Sequence, residues 1–258
     1  SAIDITFDFP PAVPPPPGLT WSEYGSDTFD YWYDGTANVC LEVISPNGYS
    51  VGPICTGALL EWWVDPAGIT PDGCVFIDNA STGPAPNGDN ELVSWVDGTY
   101  PFGCPNDMAA GNWTYHFEAA GGARIDGWAT MLVQEFNPPY GGTDMTVGMP
   151  ATGNEIITVA SHVTKDCWQS IDGNTYCYSD PAVVEGDISP FSSKGPTRDG
   201  RSKPDISAPG QGIASAISED ARASMPIELI MPDDRHWLIQ GTSMSSPHVA
   251  GAVALLLE

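Results

Sequence analysis

The stretch GTSMSSPHVAG at residues 241–251, followed by the apolar run AVALLL at residues 252–257, decides how this chain is interpreted. A Gly-Thr-Ser turn leads towards Pro247, and proline is tolerated in the first turn of a helix, where its missing N–H would be unpaired anyway. The residues after Pro247 have no polar face, so they predict a helix that is buried on all sides. Ser243 would then lie at the positive end of a buried helix, a favourable place for a nucleophile and for a developing oxyanion.

The spacing of serine, proline, histidine and glycine in this stretch resembles the nucleophile motif of the subtilisin-like serine peptidases, the subtilases. The resemblance implies that Ser243 attacks the scissile carbonyl and that Thr242 supports the oxyanion. It also assigns structural positions of the motif to Gly241, Pro247, His248 and Gly251.

Upstream of this stretch, residues 144–210 resemble subtilases in three further motifs. The turn VGMP at residues 147–150, with the apolar segment at 156–161, resembles the base of the S1 substrate pocket and the buried strand after it. The resemblance implies that Gly148 and Met149 contact substrate and that the Met149–Pro150 peptide bond is cis. Residues 188–197 and 199–210 resemble the segment that leads to the nucleophile.

The first half of the chain has a different pattern. Short alternating segments recur between turn signals, for example at residues 3–9, 37–44, 73–78, 90–96, 111–119 and 124–133. This spacing predicts an antiparallel β-sandwich, which resembles the jelly-roll domain inserted in some bacterial subtilases. We therefore expect an all-β sandwich insert at residues 1–143, with a proline-rich segment at 10–17. Residues 144–258 are expected to be the C-terminal half of an α/β subtilisin-like domain, with a parallel sheet and a buried nucleophile helix.

A serine nucleophile needs a base and a group that orients the base. In subtilases these lie in Asp-Thr-Gly or Asp-Ser-Gly and His-Gly-Thr segments, and neither kind occurs in this sequence. His248 belongs to the nucleophile motif, whereas His116 and His162 are expected in or after strands; His236 is kept as a minor candidate for the base. The Ala-Gly-Asn at residues 110–112 resembles an oxyanion segment, but it leads into a strand, and we interpret Asn112 as a turn residue or as the asparagine of a glycosylation sequon. We expect the chain to be truncated at both ends, with the Asp, His and oxyanion Asn upstream, and to be inert alone.

Composition limits the partners of the protein. The 258 residues include 33 acidic and 8 basic residues, a net charge of −25, which disfavours nucleic acid and anionic membrane as partners. No apolar run reaches the roughly 20 residues of a membrane helix. Six cysteines suggest a secreted protein: Cys167 and Cys177 are expected to clip a hairpin, and the pairing of the other four is left open among Cys40, Cys55, Cys74 and Cys104.

The sequence therefore favours a secreted subtilisin-like serine endopeptidase that acts on proteins or peptides and needs the remainder of its catalytic domain as a partner. No cofactor is needed for the chemistry, and a structural calcium ion is expected from the resemblance, with Asp166, Asp233 and Asp234 as example carboxylates. The alternative is an inactive structural or assembly component that keeps the subtilase fold and uses the β-sandwich as an interaction module, with self-assembly as one form of association. In a third reading the sandwich binds glycans through an aromatic platform, whose members would be Trp62, Trp63, Trp95 and Trp128.

Overall fold

The computed structural model describes residues 2–9, 26–98, 103–130, 136–137 and 139–258. The chain divides into two units, Ser1–Gly142 and Thr143–Glu258, which are described separately. The proline-rich segment at residues 10–17 and the end of the strand predicted at 124–133 lie outside the described residues.

Strands form almost all the regular structure of the first unit. Its described strands are β1 (Ala2–Phe9), β2 (Ser26–Asp34), β3 (Val39–Ile44), β4 (Ser50–Cys55), β5 (Ala58–Leu60), β6 (Ile69–Thr70), β7 (Gly73–Asn79), β8 (Asp89–Asp97), β9 (Gly111–Ala119) and β10 (Ile125–Ala129). One antiparallel sheet has the order β1-β9-β3-β4 and the other the order β10-β2-β8-β7-β5, with β6 paired to β7. A short 3-10 turn at Pro66–Gly68 precedes β6.

Side chains that alternate along the strands of both sheets meet in one core. On β9 the residues Trp113, Tyr115 and Phe117 are at most 1% exposed, as the alternation at 111–119 predicts. Rings from the two sheets are in contact, since Phe7 of β1 and Phe29 of β2 have centroids 4.5 Å apart. The two sheets therefore pack face to face around an aromatic core.

Strand β2 was not singled out by sequence reasoning, although every second residue from Phe29 to Tyr33 in its sequence SDTFDYWYD is aromatic. Phe29, Tyr31 and Tyr33 are completely buried in the core of the unit. The Tyr33 hydroxyl donates to Asn79 Oδ1 (2.5 Å), and the Asn79 amide donates to the carbonyls of Val39 and Ile54 (2.9 Å each). A buried tyrosine is tolerated here because its hydroxyl has a partner.

Two disulfides brace this unit. Cys40–Cys55 joins the paired strands β3 and β4, and Cys74–Cys104 ties β7 to a residue 30 positions later. The pairing left open by the sequence is therefore decided by strand register and proximity. Cys74 and Cys104 are buried beside Trp62 and Phe76, in a second, smaller apolar cluster.

The turn between β3 and β4 is held by a buried carboxylate. Asp72 accepts hydrogen bonds from the Ser45 hydroxyl (2.5 Å), the Asn47 backbone N–H (3.0 Å) and the Asn47 side-chain amide (2.8 Å). Gly48 completes the turn with a φ of 83°, a backbone region that glycine adopts at little cost. The Ser-Pro-Asn-Gly turn is thus fixed by a residue from a distant part of the chain.

The second unit combines short strand pairs with a long helix. Its strands are β11 (Val159–Val163), β12 (Cys167–Gln169), β13 (Thr175–Cys177), β14 (Ile206–Gln211), β15 (Ile213–Ala216) and β16 (His236–Ile239); its helices are α1 (Glu219–Arg222) and α2 (Thr242–Leu257). Strands β11 and β14 pair in parallel, and the other two pairs, β12–β13 and β15–β16, are antiparallel. Cys167–Cys177 clips the β12–β13 hairpin, as predicted.

The expectation that α2 is buried on all sides is wrong for this chain. α2 contacts β11 and β14, and Ser245 is its buried residue. Leu255, Leu256 and Leu257 are 75, 85 and 83% exposed, because no described element packs against this part of the helix. Among the described residues, no helix is long and apolar enough to cross a membrane.

Candidate active site

The first turn of α2 presents the candidate nucleophile. Gly241 precedes the helix with φ 145° and ψ 156°, a conformation that L side chains rarely adopt. The Met244 N–H donates to the Gly241 carbonyl (3.0 Å), which closes the first turn. Ser243 is the second helical residue, and both Thr242 and Ser243 are exposed.

The position of Ser243 on the helix follows from the burial of Ser245. Residues two apart on an α-helix point about 200° away from each other, so burying Ser245 turns Ser243 outwards. The N–H groups of the first helical residues have no carbonyl partner four residues earlier, although the Met244 N–H bonds the Gly241 carbonyl, and the helix dipole adds positive potential there. This end of α2 can therefore stabilise negative charge beside the Ser243 hydroxyl.

Pro247 lies inside α2 rather than in its first turn, because the helix already begins at Thr242. This corrects the sequence-based placement. A proline at this position has no N–H to donate to the carbonyl of Ser243, four residues earlier. The His248 Nδ1 bonds the Met244 carbonyl (2.7 Å), so this ring is engaged with its own helix.

In the described part of the chain, the Ser243 hydroxyl makes no hydrogen bond to any histidine. His162 Nδ1 lies 3.4 Å from the Ser207 hydroxyl, and His236 Nδ1 lies 2.5 Å from Asp233 Oδ2. His116, on the outward side of β9, contacts Asp4 and Glu118 in the first unit. Each of these rings therefore has a partner other than Ser243.

The segment before β11 contains the predicted substrate-contact residues. Val147 is buried, whereas Gly148 is exposed and Met149 is 71% exposed. The Met149–Pro150 peptide bond is cis, as the family resemblance implied. An added Cβ at Gly148 would meet nothing within 4 Å, so the glycine leaves open space on the surface. Gly148 and Met149 are thus accessible to a ligand.

A polar cluster that sequence reasoning missed ties this segment to β14. Asp205 Oδ2 accepts from the Thr158 N–H (2.7 Å) and from Lys203 Nζ (2.6 Å), and Lys203 Nζ also donates to the Ile156 carbonyl (2.7 Å). The Lys203 side chain is only 7% exposed. The hydrogen bond from Lys203, followed by that from Thr158, holds the pKa of Asp205 below its usual range. The Lys-Pro-Asp order in the sequence was the available signal for this cluster.

Two of the three carboxylates suggested for calcium, Asp233 and Asp234, have other partners. Asp234 pairs with Arg222, and Asp233 accepts from the Arg235 and His236 N–H groups and contacts the His236 ring. These contacts, first of all the Arg235 N–H, lower the pKa of Asp233. Across the described ranges, no group of three or more His, Cys, Asp or Glu side chains is arranged to hold a metal ion.

The four tryptophans proposed as a platform do not form one exposed surface. Trp62 is 8% exposed and donates its indole N–H to Asp97 (3.3 Å), so it belongs to the smaller core. Trp63 is 50% exposed and stacks on Phe76 at 5.5 Å with 7° between the rings. Asn112, expected in a turn, is instead an exposed residue of β9, because the strand begins at Gly111.

Residues 64–258 match the model of the Subtilase family, Peptidase_S8. The chain belongs to the subtilase family. This subtilase is 31% identical over 134 residues to the serine protease AprX of Bacillus subtilis, a match that covers 52% of the chain and 27% of AprX. It is 36% identical over 119 residues to pyrolysin of Pyrococcus furiosus, covering 43% of the chain and 8% of pyrolysin. It is also 36% identical over 121 residues to an uncharacterized protein of Aquifex aeolicus, covering 46% of the chain and 49% of that protein.

A solved structure shares the fold of this subtilase. The CspB protease of Clostridium perfringens superposes with a TM-score of 0.61 and 22% identity, over 100% of this chain and 44% of CspB. At that identity the likeness concerns the fold alone. The chain spans about half or less of the length of the proteins that it matches.

Proposed function

We propose that this subtilase chain carries the nucleophile, Ser243, of a secreted serine endopeptidase that hydrolyses peptide bonds in proteins or peptides. The observation that carries the proposal is the exposed Ser243 hydroxyl on the first turn of α2, with Ser245 buried on the opposite side. Family membership supports the reaction class, and AprX, a serine protease, is among the relatives that the chain matches.

In the proposed reaction the Ser243 oxygen bonds to the scissile carbonyl carbon as its proton passes to a histidine base. The carbonyl oxygen becomes an oxyanion beside the first-turn N–H groups of α2, with Thr242 as a supporting residue. The carbon–nitrogen bond then breaks, the base returns the proton to the leaving amine, and water releases the acyl group. Gly148 and Met149 would contact the substrate residue before the scissile bond.

The base, the Asp that orients it and the oxyanion Asn are proposed to come from a segment of the protein outside these 258 residues. Two facts support this: the sequence contains no His-Gly-Thr, and the described histidines bond other groups. The exposed leucines at residues 255–257 and the two-stranded parallel sheet β11–β14 also offer apolar and strand-edge surface for that remainder to cover. Without it, this chain by itself is expected to be inert.

The domain assignment is part of the same proposal. The two-sheet unit would be a jelly-roll-like insert in the catalytic domain, and residues 144–258 its C-terminal half. Three disulfides support secretion, since such bonds persist in oxidising compartments. The proposed chemistry needs no cofactor, and a structural calcium ion stays a prediction from the resemblance.

The alternative is an inactive assembly component that keeps the subtilase fold and associates through its exposed apolar side chains. It is favoured by the absence of a described histidine at Ser243. The glycan-binding version of this alternative depends on Trp63, because Trp62 is buried.

A fluorophosphonate probe labels only an activated serine. Applied to the natively purified protein, it distinguishes the peptidase from the inactive assembly component. Peptide mapping should find the label on Ser243, and it should disappear in Ser243→Ala but persist in Ser224→Ala, an exposed serine of the same unit. A folded native protein that takes no label at Ser243 would refute the peptidase and leave the assembly component.

A further inference from the structure

The contact between the nucleophile helix and its sheet is built from three small residues. Gly210 of β14 and Ser161 of β11 meet Ser245 of α2, and the two serines are completely buried. The Ser161 hydroxyl bonds the Ser189 hydroxyl (2.7 Å), whereas the Ser245 hydroxyl is buried with no hydrogen-bond partner among the described residues. The helix therefore lies directly against the sheet at this point.

Gly210 makes this close approach possible. Its φ does not lie in the left-handed region, so the reason for glycine here is space rather than backbone freedom. An added Cβ would fall on the hydroxyl oxygens of Ser245 and Ser161 and lie 2.9 Å from Ser161 Cβ. Neither side chain can swing into solvent, because both are fully buried. A side chain at position 210 therefore forces Ser245 of α2, Ser161 of β11 or both to move.

The same glycine is hydrogen-bonded to Gly241, the residue that precedes the helix. The Gly241 N–H donates to the Gly210 carbonyl (2.8 Å), and the Gly241 carbonyl accepts from Met244 N–H (3.0 Å). Ser243 lies inside this closed turn. A displacement of α2 at Ser245 would stretch the Gly241–Gly210 bond and move the Ser243 hydroxyl and the first-turn N–H groups together.

We propose that Gly210 is a positioning residue for the nucleophile. Because Gly210 has no side chain, Ser245 can pack against the sheet, and this contact sets the reactive position of Ser243. Gly210 does not touch the reacting atoms and acts through Ser245 and Gly241. The inference rests on the proposed peptidase function, because a role for Gly210 in orienting the Ser243 hydroxyl requires that Ser243 is reactive.

The test uses the full-length protein and measures both the rate constant and the extent of Ser243 labelling by a fluorophosphonate, together with kcat and KM on a peptide substrate. Gly210→Ala should lower the labelling rate constant and kcat by on the order of tenfold to a hundredfold, since a misplacement of about 1 Å costs about that much. KM should stay nearly unchanged. Adding Ser245→Ala to Gly210→Ala removes one of the two colliding hydroxyls and should restore part of the rate.

A purely structural role gives a different result. If Gly210→Ala only loses folded protein, the extent of labelling falls while the rate constant stays unchanged, and that outcome would overturn the inference. The inference would also be overturned if the double variant Gly210→Ala/Ser245→Ala recovered none of the lost rate. Gly142→Ala is the matched control, because an added Cβ there meets nothing within 4 Å and the residue lacks a positive φ. If the wild-type protein takes no label, the proposed function fails; if the wild type and Gly210→Ala label equally fast, the positioning role alone fails.

Discussion

The buried carboxylate of Asp72 should contribute more to stability than any other single turn contact in the two-sheet unit. Asp72 is 4% exposed and receives three hydrogen bonds from Ser45 and Asn47. In Asp72→Ala the two Asn47 donors can turn to water, because Asn47 is exposed. The Ser45 hydroxyl cannot, because Ser45 is also 4% exposed.

These environments set the expected magnitude. An unsatisfied buried donor costs about 1–3 kcal/mol, and each of the two recoverable bonds contributes about 0.5–1.5 kcal/mol net. We therefore expect Asp72→Ala to lower the free energy of unfolding by roughly 2–6 kcal/mol. Asp72→Asn keeps one acceptor oxygen and should lose about half as much.

The effect of Asp72 should also depend on pH. Burial raises the pKa of this carboxyl, but the hydrogen bonds from Ser45 and Asn47 together outweigh burial and hold it below the ordinary value. The stabilisation is thus present above the unfolded pKa of about 3.9 and is lost as the pH falls through the lower folded pKa. The difference between wild type and Asp72→Ala should shrink below about pH 4.

Urea unfolding at pH 7 measures the loss, and hydrogen exchange of the Asn47 and Tyr49 amides locates it, since these N–H groups bond Asp72 and the Ser45 hydroxyl. Asp34→Ala is the matched control. Asp34 also accepts from a turn residue, Thr36, but is exposed and should matter less. Equal losses in the two variants, or unchanged protection of the Asn47 amide, would refute the reasoning.

Two further predictions concern disulfides and pH. The loop-entropy relation gives about 3.6 kcal/mol for the 30-residue Cys74–Cys104 loop and about 2.7 kcal/mol for the 10-residue Cys167–Cys177 loop; paired Cys→Ala variants in urea should rank in that order, and the reverse order would contradict it. The hydrogen bond from Asp4, with help from Glu118, raises the pKa of His116. Its small stabilisation should be complete below the unfolded pKa of about 6.5 and lost as the pH rises through the folded pKa. His116→Gln should therefore destabilise the protein more at pH 5.5 than at pH 8.5, and a thermal-melt difference that is the same at both values would exclude the effect.

Much of the two-sheet unit could be predicted because its signals are local. Strand β9 coincides with the predicted segment 111–119, since the alternation of Trp113, Tyr115 and Phe117 with polar residues is read along one strand. Strand β2, which was not predicted, also has a buried aromatic residue at every second position from Phe29 to Tyr33. Cysteine pairing was different, because three pairings of four cysteines are equally compatible with the sequence. Register and proximity in the folded unit select Cys40–Cys55 and Cys74–Cys104.

The candidate site also combines features that the local sequence predicts with features that depend on tertiary contacts. The position of Ser243 at the start of an apolar helix, and the subtilase family itself, follow from residue order in the 241–251 stretch. The exposure of α2, the depth of Ser245 and the Asp205–Lys203 cluster depend on which elements surround these residues.

The sequence by itself determined the family of this chain and the place of its candidate nucleophile: a serine in a subtilase-type stretch, with no family-type segment for a base among the 258 residues. It did so because motif order and hydrophobic alternation depend only on residues that are close together along the chain. Only the tertiary structure decided that Gly210 must lack a side chain, since the two serines it would strike come from β11 and α2. Contacts between residues 35 or more positions apart, such as Gly210 with Ser161 and Ser245, have no signature in either segment alone.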